Sequence, residues 1–197
     1  MMSSSNLPQK IVLTGFRATG KSTLGLLIAK RLGYLFVDTD QALQQQLGST
    51  IAQIVASHGW PFFRRAEAQL LRELSTSSSL VIATGGGAIE HQAEWQLLRQ
   101  KSFVVWLDAD AVTINQRIAA DNASSAQRPA LLSGASPKDE IAQLLYQRTP
   151  LYERGSDLRL DTVNACVQDL ASALCKALQR GASDETNERG RCCAPGR

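Results

Sequence analysis

The chain has 197 residues, 44% of them apolar and 20% charged, which gives one globular domain enough material for a core without metals or disulfides. Its 21 basic and 18 acidic side chains leave a net charge of +3, too diffuse for nucleic-acid binding, which needs a concentrated basic stripe. The four cysteines (Cys166, Cys175, Cys192, Cys193) lack C-x-x-C spacing, the only histidines are His58 and His91, and no apolar run has the length of a signal core or a membrane span, so a reduced, cytoplasmic setting without a membrane partner is expected.

The first apolar run, Ile11–Thr14, leads into Gly15-Phe16-Arg17-Ala18-Thr19-Gly20-Lys21-Ser22. This matches the phosphate-binding pattern G-x-x-x-x-G-K-S/T, between a strand and an amphipathic helix as that pattern requires. Leu24, Leu27, Ile28 and Leu32 share the face of that helix, and Gly33 is placed to end it. Gly15, Ala18, Thr19, Gly20, Lys21, Ser22 and Thr23 are therefore expected at the phosphates of a nucleoside triphosphate. Glycines let successive N–H groups converge on phosphate oxygens, and the helix N-terminus adds a favourable dipole. Lys21 would reach the outer phosphates and Ser22 would hold Mg²⁺. The plain alternative is a glycine-rich turn that merely links strand to helix.

The second run, Tyr34–Val37, ends in Asp38-Thr39-Asp40. Residues i and i+2 of an extended chain point the same way, so both carboxylates can face one cleft, at the strand end where open α/β sheets bind ligands. One acid could hold Mg²⁺ and the other orient or deprotonate an attacking hydroxyl; the plain reading is a pair of turn aspartates, with Asp40 capping the next helix. Gln41–Leu74 is helical in pattern throughout, long enough for an inserted substrate-binding helical pair. Within it, Arg64 and Glu67 stand at i, i+3 and could form an ordinary surface pair.

The third run, Leu80–Ala83, opens onto Thr84-Gly85-Gly86-Gly87. Three consecutive glycines are entropically costly unless something must approach the backbone closely. After the fourth run, Phe103–Leu107, the small polar segment Asp121–Ser136 has the composition of a lid. Ser136-Pro137-Lys138-Asp139 reads as a helix start. A short fifth run, Leu158–Leu160, precedes a last helix that Asn164 could cap, carrying Val167, Leu170, Leu174 and Leu178. Residues 181–197 read as a disordered tail beyond a single domain of residues 1–180. Apolar runs alternating with helical segments predict an α/β fold with a parallel sheet covered on both faces. By spacing alone Arg117, Arg128 and Arg148 read as solvated surface cations.

The order of these motifs is what resembles a known family. The P-loop, D-T-D, G-x-x-x-F-R-x-x-E at Gly59–Glu67, G-G-G, R-P-x-L-L at Arg128–Leu132 and R-x-P-L-Y at Arg148–Tyr152 together resemble shikimate kinase. The resemblance runs from about Ile11 to Leu178 and implies the three-layer α/β/α P-loop kinase fold, with five parallel strands, a substrate-binding insertion at about residues 41–74 and a lid at about 117–136. It implies transfer of the ATP γ-phosphate to the 3-hydroxyl of shikimate by a monomer using Mg²⁺. On that resemblance Asp38 joins Ser22 at the metal, and Asp40 contacts the substrate hydroxyls as base or orienting group. Arg64 and Arg148 grip the carboxylate, Glu67 steadies Arg64, and Gly85, Gly86 and Gly87 bring N–H groups to the substrate. Arg128 closes over the transferring phosphoryl group, and Arg117 flanks the adenine. The chain departs from the family pattern at Trp60, where Glu is usual, at Ala130 inside the R-P-L-L motif, and in a lid lengthened by Asn122–Gln127. The readings left beside it are a kinase of another small hydroxyl compound such as gluconate, and a catalytically silent nucleotide-binding module.

Overall fold

A computed structural model describes residues 7–120 and 137–189. Five strands form one sheet: β1 (Lys10–Thr14), β2 (Leu35–Asp38), β3 (Leu80–Ala83), β4 (Ser102–Asp108) and β5 (Leu158–Asp161), in the order β2-β3-β1-β4-β5. Every pairing is parallel. The connections carry α1 (Lys21–Leu32), α2 (Thr39–Leu47), α3 (Ile51–Ser75), a 3₁₀ turn at Ala88–Glu90, α4 (Gln92–Arg99), α5 (Ala111–Ala120) and α6 (Pro137–Gly155); α7 (Val167–Arg189) follows β5.

Alternation within the strands divides the core between the two faces of the sheet. Ile11, Leu13, Val81, Val105 and Leu107 pack with Leu24 and Ile28 of α1 and with Leu170 and Leu174 of α7. Val12, Ile82, Val104 and Trp106 face the other way, onto Leu43, Phe63, Leu71, Trp95 and Tyr152. Helices therefore cover both faces, making the three-layer α/β/α fold expected, and the inner strands β1 and β3 are buried throughout. The outer strands β2 and β5 keep exposed positions, Leu35 and Arg159 among them, because an edge strand is covered less completely.

Each expected apolar run is a strand, with bounds shifted by at most a residue. Pro137 opens α6, where its missing N–H costs nothing. Two expectations need correction. Asn164 does not cap the last helix: Cys166 occupies that position, its sulfur accepting from the Asp169 amide at 3.4 Å while its carbonyl takes the Leu170 amide at 3.1 Å. The helix also runs on to Arg189, through the first part of the segment expected as tail. Adding a residue to an existing helix is far easier than starting one, so turns packed at Leu170–Leu178 can carry a polar extension. Of the expected lid, residues 117–120 end α5, and residues 121–136, with Asn122–Gln127, Arg128 and Ala130, lie outside the described residues, as do Cys192 and Cys193.

The inserted region is the expected helical pair, α2 and α3, and α3 is itself broken. Gly59 stands at φ 78° and ψ 165° inside it, in a region essentially closed to residues with a Cβ, and Pro61 follows where a new helical turn can accept it. Ile51 and Ile54 of the first segment and Phe63, Leu71 and Leu74 of the second still join one core. Gly59→Ala should destabilise the fold by about 1–3 kcal/mol, read as a lower denaturation midpoint with unchanged slope in urea.

Candidate active site

The order of the sheet gathers the expected site residues before any ligand is considered. Beside β1 lie β3 on one side and β4 on the other, and β2 pairs outside β3. In register, Leu13 stands by Ala83, and Ala83 by Asp38. The P-loop, the glycine run and the aspartate pair therefore leave the carboxyl edge of the sheet side by side, the edge where open α/β sheets bind ligands. The Thr84 amide donates to the Leu13 carbonyl at 3.0 Å and extends the pairing into the loops.

In the P-loop, Gly15, Ala18 and Gly20 all have positive φ, the curled backbone that turns amides inward. A Cβ on Gly15 would collide with the Leu107 carbonyl of β4, so only glycine fits there. The Phe16 carbonyl accepts from Lys21 Nζ at 2.6 Å and from Thr19 Oγ1 at 2.8 Å. This holds the buried ammonium against the loop. Arg117, on α5, reaches the same loop: its guanidinium donates to the Ala18 carbonyl at 3.3 Å and to the Thr162 carbonyl and hydroxyl beyond β5.

Asp38 has two tasks. Its Oδ1 accepts from the Asp40 and Gln41 amides at 3.0 and 3.2 Å, so Asp38, and not Asp40, caps α2. Its Oδ2 accepts from the Ser22 hydroxyl at 2.5 Å. The two oxygens expected at Mg²⁺ are thus adjacent at the P-loop, and a hydroxyl beside a carboxylate is a donor set that a hard, partly hydrated divalent cation accepts.

Asp40 borders a separate cavity between the P-loop, the glycine run and α3. Arg64, Glu67, Gly85, Gly86, Gly87 and Arg148 line it with Asp40, so every described residue expected at the second substrate borders one space. At two of the three glycines a Cβ has no room. A Cβ on Gly85 would come within 2.7 Å of the Asp40 carboxylate and 2.9 Å of that of Glu67, and one on Gly87 would overlap the Arg64 guanidinium. The Gly85 amide donates to Thr39 Oγ1 at 2.8 Å, which ties the glycine run to the aspartate pair.

The basic wall is braced by acids. Arg64 donates to Glu67 at 2.6 Å and lies over the Trp60 ring. His91 Nε2 meets the same Glu67 oxygen at 2.8 Å. Burial opposes charge on Glu67, but the hydrogen bond from His91 and the charge and hydrogen bond of Arg64 outweigh it, and the carboxyl lies below its ordinary 4.5. Arg148, almost fully buried, donates through Nε to Glu90 at 2.8 Å. One turn on, Tyr152 donates to the Gly86 carbonyl at 2.6 Å; burial, first of all, raises its phenol well above 10.0.

Several of these residues were missed in the sequence. Arg17 fills a variable position of the P-loop motif, yet it borders the cavity and pairs with Glu140 at 3.4 Å. Trp60 and Phe63 form part of the wall. Glu90 and His91 brace it and carry no spacing signal that would have marked them; Tyr152 braces it too, and its motif, R-x-P-L-Y, gave it no role of its own. Among the expected site residues, Arg128 alone lies outside the described residues.

The family model described as "Shikimate kinase" matches residues 17–179. A shikimate kinase of Symbiobacterium thermophilum is 37% identical over 180 residues, 91% of this chain and 99% of that one. Another, from Rhodopirellula baltica, is 36% identical over 170 residues, 86% of this chain and 90% of its own. Among solved structures, shikimate kinase from Acinetobacter baumannii in complex with shikimate superposes with a TM-score of 0.79 at 31% identity, over 88% of this chain and 94% of that one.

The Glu67 pair has a definite pH signature. A carboxyl held below its unfolded value contributes stability that is fully present above about 4.5 and is lost as pH falls through the lower folded value. The stability advantage of the native chain over Glu67→Gln should therefore be level from neutral pH to about 5 and shrink below that. Urea denaturation at stepped pH measures it.

Proposed function

The chain belongs to the shikimate kinase family, and on that premise we propose how its residues divide the transfer of phosphate from ATP to shikimate. It is an ATP-dependent kinase, and of the activities considered from sequence the phosphorylation of shikimate is the one that family membership selects. The observation that carries the division of roles is the cavity itself, which has an acid, Asp40, and cations, Arg64 and Arg148, on its walls beside the P-loop. Shikimate carries hydroxyls and one carboxylate, so one end suits Asp40 and the other suits guanidinium forks, which match a carboxylate bidentately.

In this reading Arg64 and Arg148 hold the carboxylate, and Arg17, on the same wall, adds a third cation. The glycine run lets the ring come close, with the amides of Gly86 and Gly87 offered to it while that of Gly85 stays on Thr39. Asp40 accepts the proton of the 3-hydroxyl as its oxygen bonds to the γ-phosphorus, and the bond from that phosphorus to the β-bridging oxygen breaks to release ADP. Lys21 leaves the Phe16 carbonyl for the outer phosphates, whose developing charge it offsets. Ser22 and Asp38 would hold Mg²⁺, which when bound would supply divalent charge to the phosphates. Arg117 sits at the nucleotide end, and the role of Arg128 over the γ-phosphate rests on the family pattern.

No helix among the described residues is long and apolar enough to cross a membrane. The free thiols Cys166 and Cys175 suit the reducing cytoplasm.

Release of ADP in a panel of acceptors with saturating Mg²⁺ and ATP should be high with shikimate and at background with gluconate; the reverse result would sink the reading. Asp40→Asn should bind ATP normally and lose about 10²–10⁴ in kcat, measured by calorimetry for binding and coupled assay for rate. Near-native turnover would remove Asp40 from its role.

A further inference from the structure

Resting on the carboxylate clamp of the preceding reading, we propose that Glu90 is a positioning residue that sets the spacing and orientation of Arg64 and Arg148 for the acceptor carboxylate. Its carboxylate stands between the two: Oε1 accepts from Arg148 Nε at 2.8 Å, and Oε2 lies 3.7 Å from Arg64 Nη2. Among the described residues that line the cavity are both arginines, and Glu90 is not one of them. Glu90 therefore holds both arginines of the clamp without itself bordering the cavity.

The consequences follow from guanidinium geometry. The group is planar, so a bond at Nε fixes its plane while the Nη edge can still take a carboxylate. Arg148 has Glu90 for this purpose, as Arg64 has Glu67 at Nη1. Without Glu90, Arg148 would have to find its plane anew for each substrate, at an ordering cost that appears in binding and not in the chemical step.

The mounting of Glu90 fits the role. It ends the 3₁₀ turn that follows the glycine run, its amide donating to the Gly87 carbonyl at 3.0 Å. The next residue, His91, holds Glu67. Positions 90 and 91 thus reach both braced arginines, one on α3 and one on α6, from a single turn attached to the substrate loop. The side chain of Glu90 is 38% exposed, so truncating it leaves no core cavity.

The test is initial-rate kinetics with shikimate varied at saturating ATP, and then the converse. Glu90→Ala should raise the KM for shikimate about tenfold, the size expected for losing a hydrogen bond to a charged group, with kcat within about twofold and the KM for ATP unmoved. Glu90→Gln, which keeps an oxygen for Arg148 Nε, should recover most of that loss. An unchanged or lower KM for shikimate in E90A would overturn the inference, the lower value because it would make Glu90 a competitor for the clamp. A rise in both KM values with a fallen melting temperature would also overturn it, as the mark of a structural role only. Arg148→Lys run alongside separates the two readings. A raised KM for shikimate there with none in E90A removes Glu90 alone, and no change in either removes the clamp.

Discussion

Asp38 stands beside Ala83, and Ala83 beside Leu13, because β2, β3 and β1 pair in parallel with their ends level. Parallel pairing sends all the following loops to one edge of the sheet. It therefore brings a phosphate loop, an acid pair and a glycine run into contact without any of them having to stretch. The covered faces keep this arrangement rigid: the residues of β1 between Ile11 and Leu13 are fully buried and feed two separate cores. A slip of one strand by a residue would exchange the two faces and also carry its loop away from the other two. The chemistry is thus tied to the hydrophobic alternation of the strands, a level at which no catalytic side chain takes part.

Charge in the cavity beside the P-loop is managed in pairs. Glu67 is buried and would be costly to ionise there, yet it shares a guanidinium and an imidazole and stays charged. Arg148 is as deeply buried and has Glu90. On the proposed reading, an incoming carboxylate would meet cations already ordered by their acids, so it would not itself meet the cost of fixing flexible side chains. The aromatic rings of Trp60 and Phe63 lie beneath Arg64 and restrict it further. Trp60, where the family pattern has an acid, gives Arg64 a π face in place of a further countercharge.

Much of this was legible in the sequence because it rests on local patterns. The P-loop needs its residues at fixed spacing, strands buried on both faces read as unbroken apolar runs, and D-T-D and G-G-G stand at the ends of such runs. Of the braces, only Glu67 on Arg64, three residues apart on one helix, was legible. Glu90 meets Arg148 across 58 residues and His91 meets Glu67 across 24, and no spacing rule reports a contact made by tertiary packing. The same holds for Arg17, hidden in a position the motif leaves open. The cap of the last helix was misplaced because a cysteine sulfur took the role that Asn164 is better suited to by type. The onward run of α7 eluded a reading based on composition, which does not count the support that a packed turn gives to the next.

Tyr152 carries a further consequence for the loop it touches. Its burial keeps the phenolic proton in place far above neutral pH, so the group is always a donor toward the Gly86 carbonyl. A trans peptide is planar, with C=O and N–H directed oppositely. Drawing the Gly86 oxygen toward Tyr152 thus turns the Gly87 amide hydrogen away from it. Glycine by itself would leave that peptide plane free to flip. A phenol on a distant helix chooses which way the plane lies, and with it the direction in which the loop offers its hydrogen.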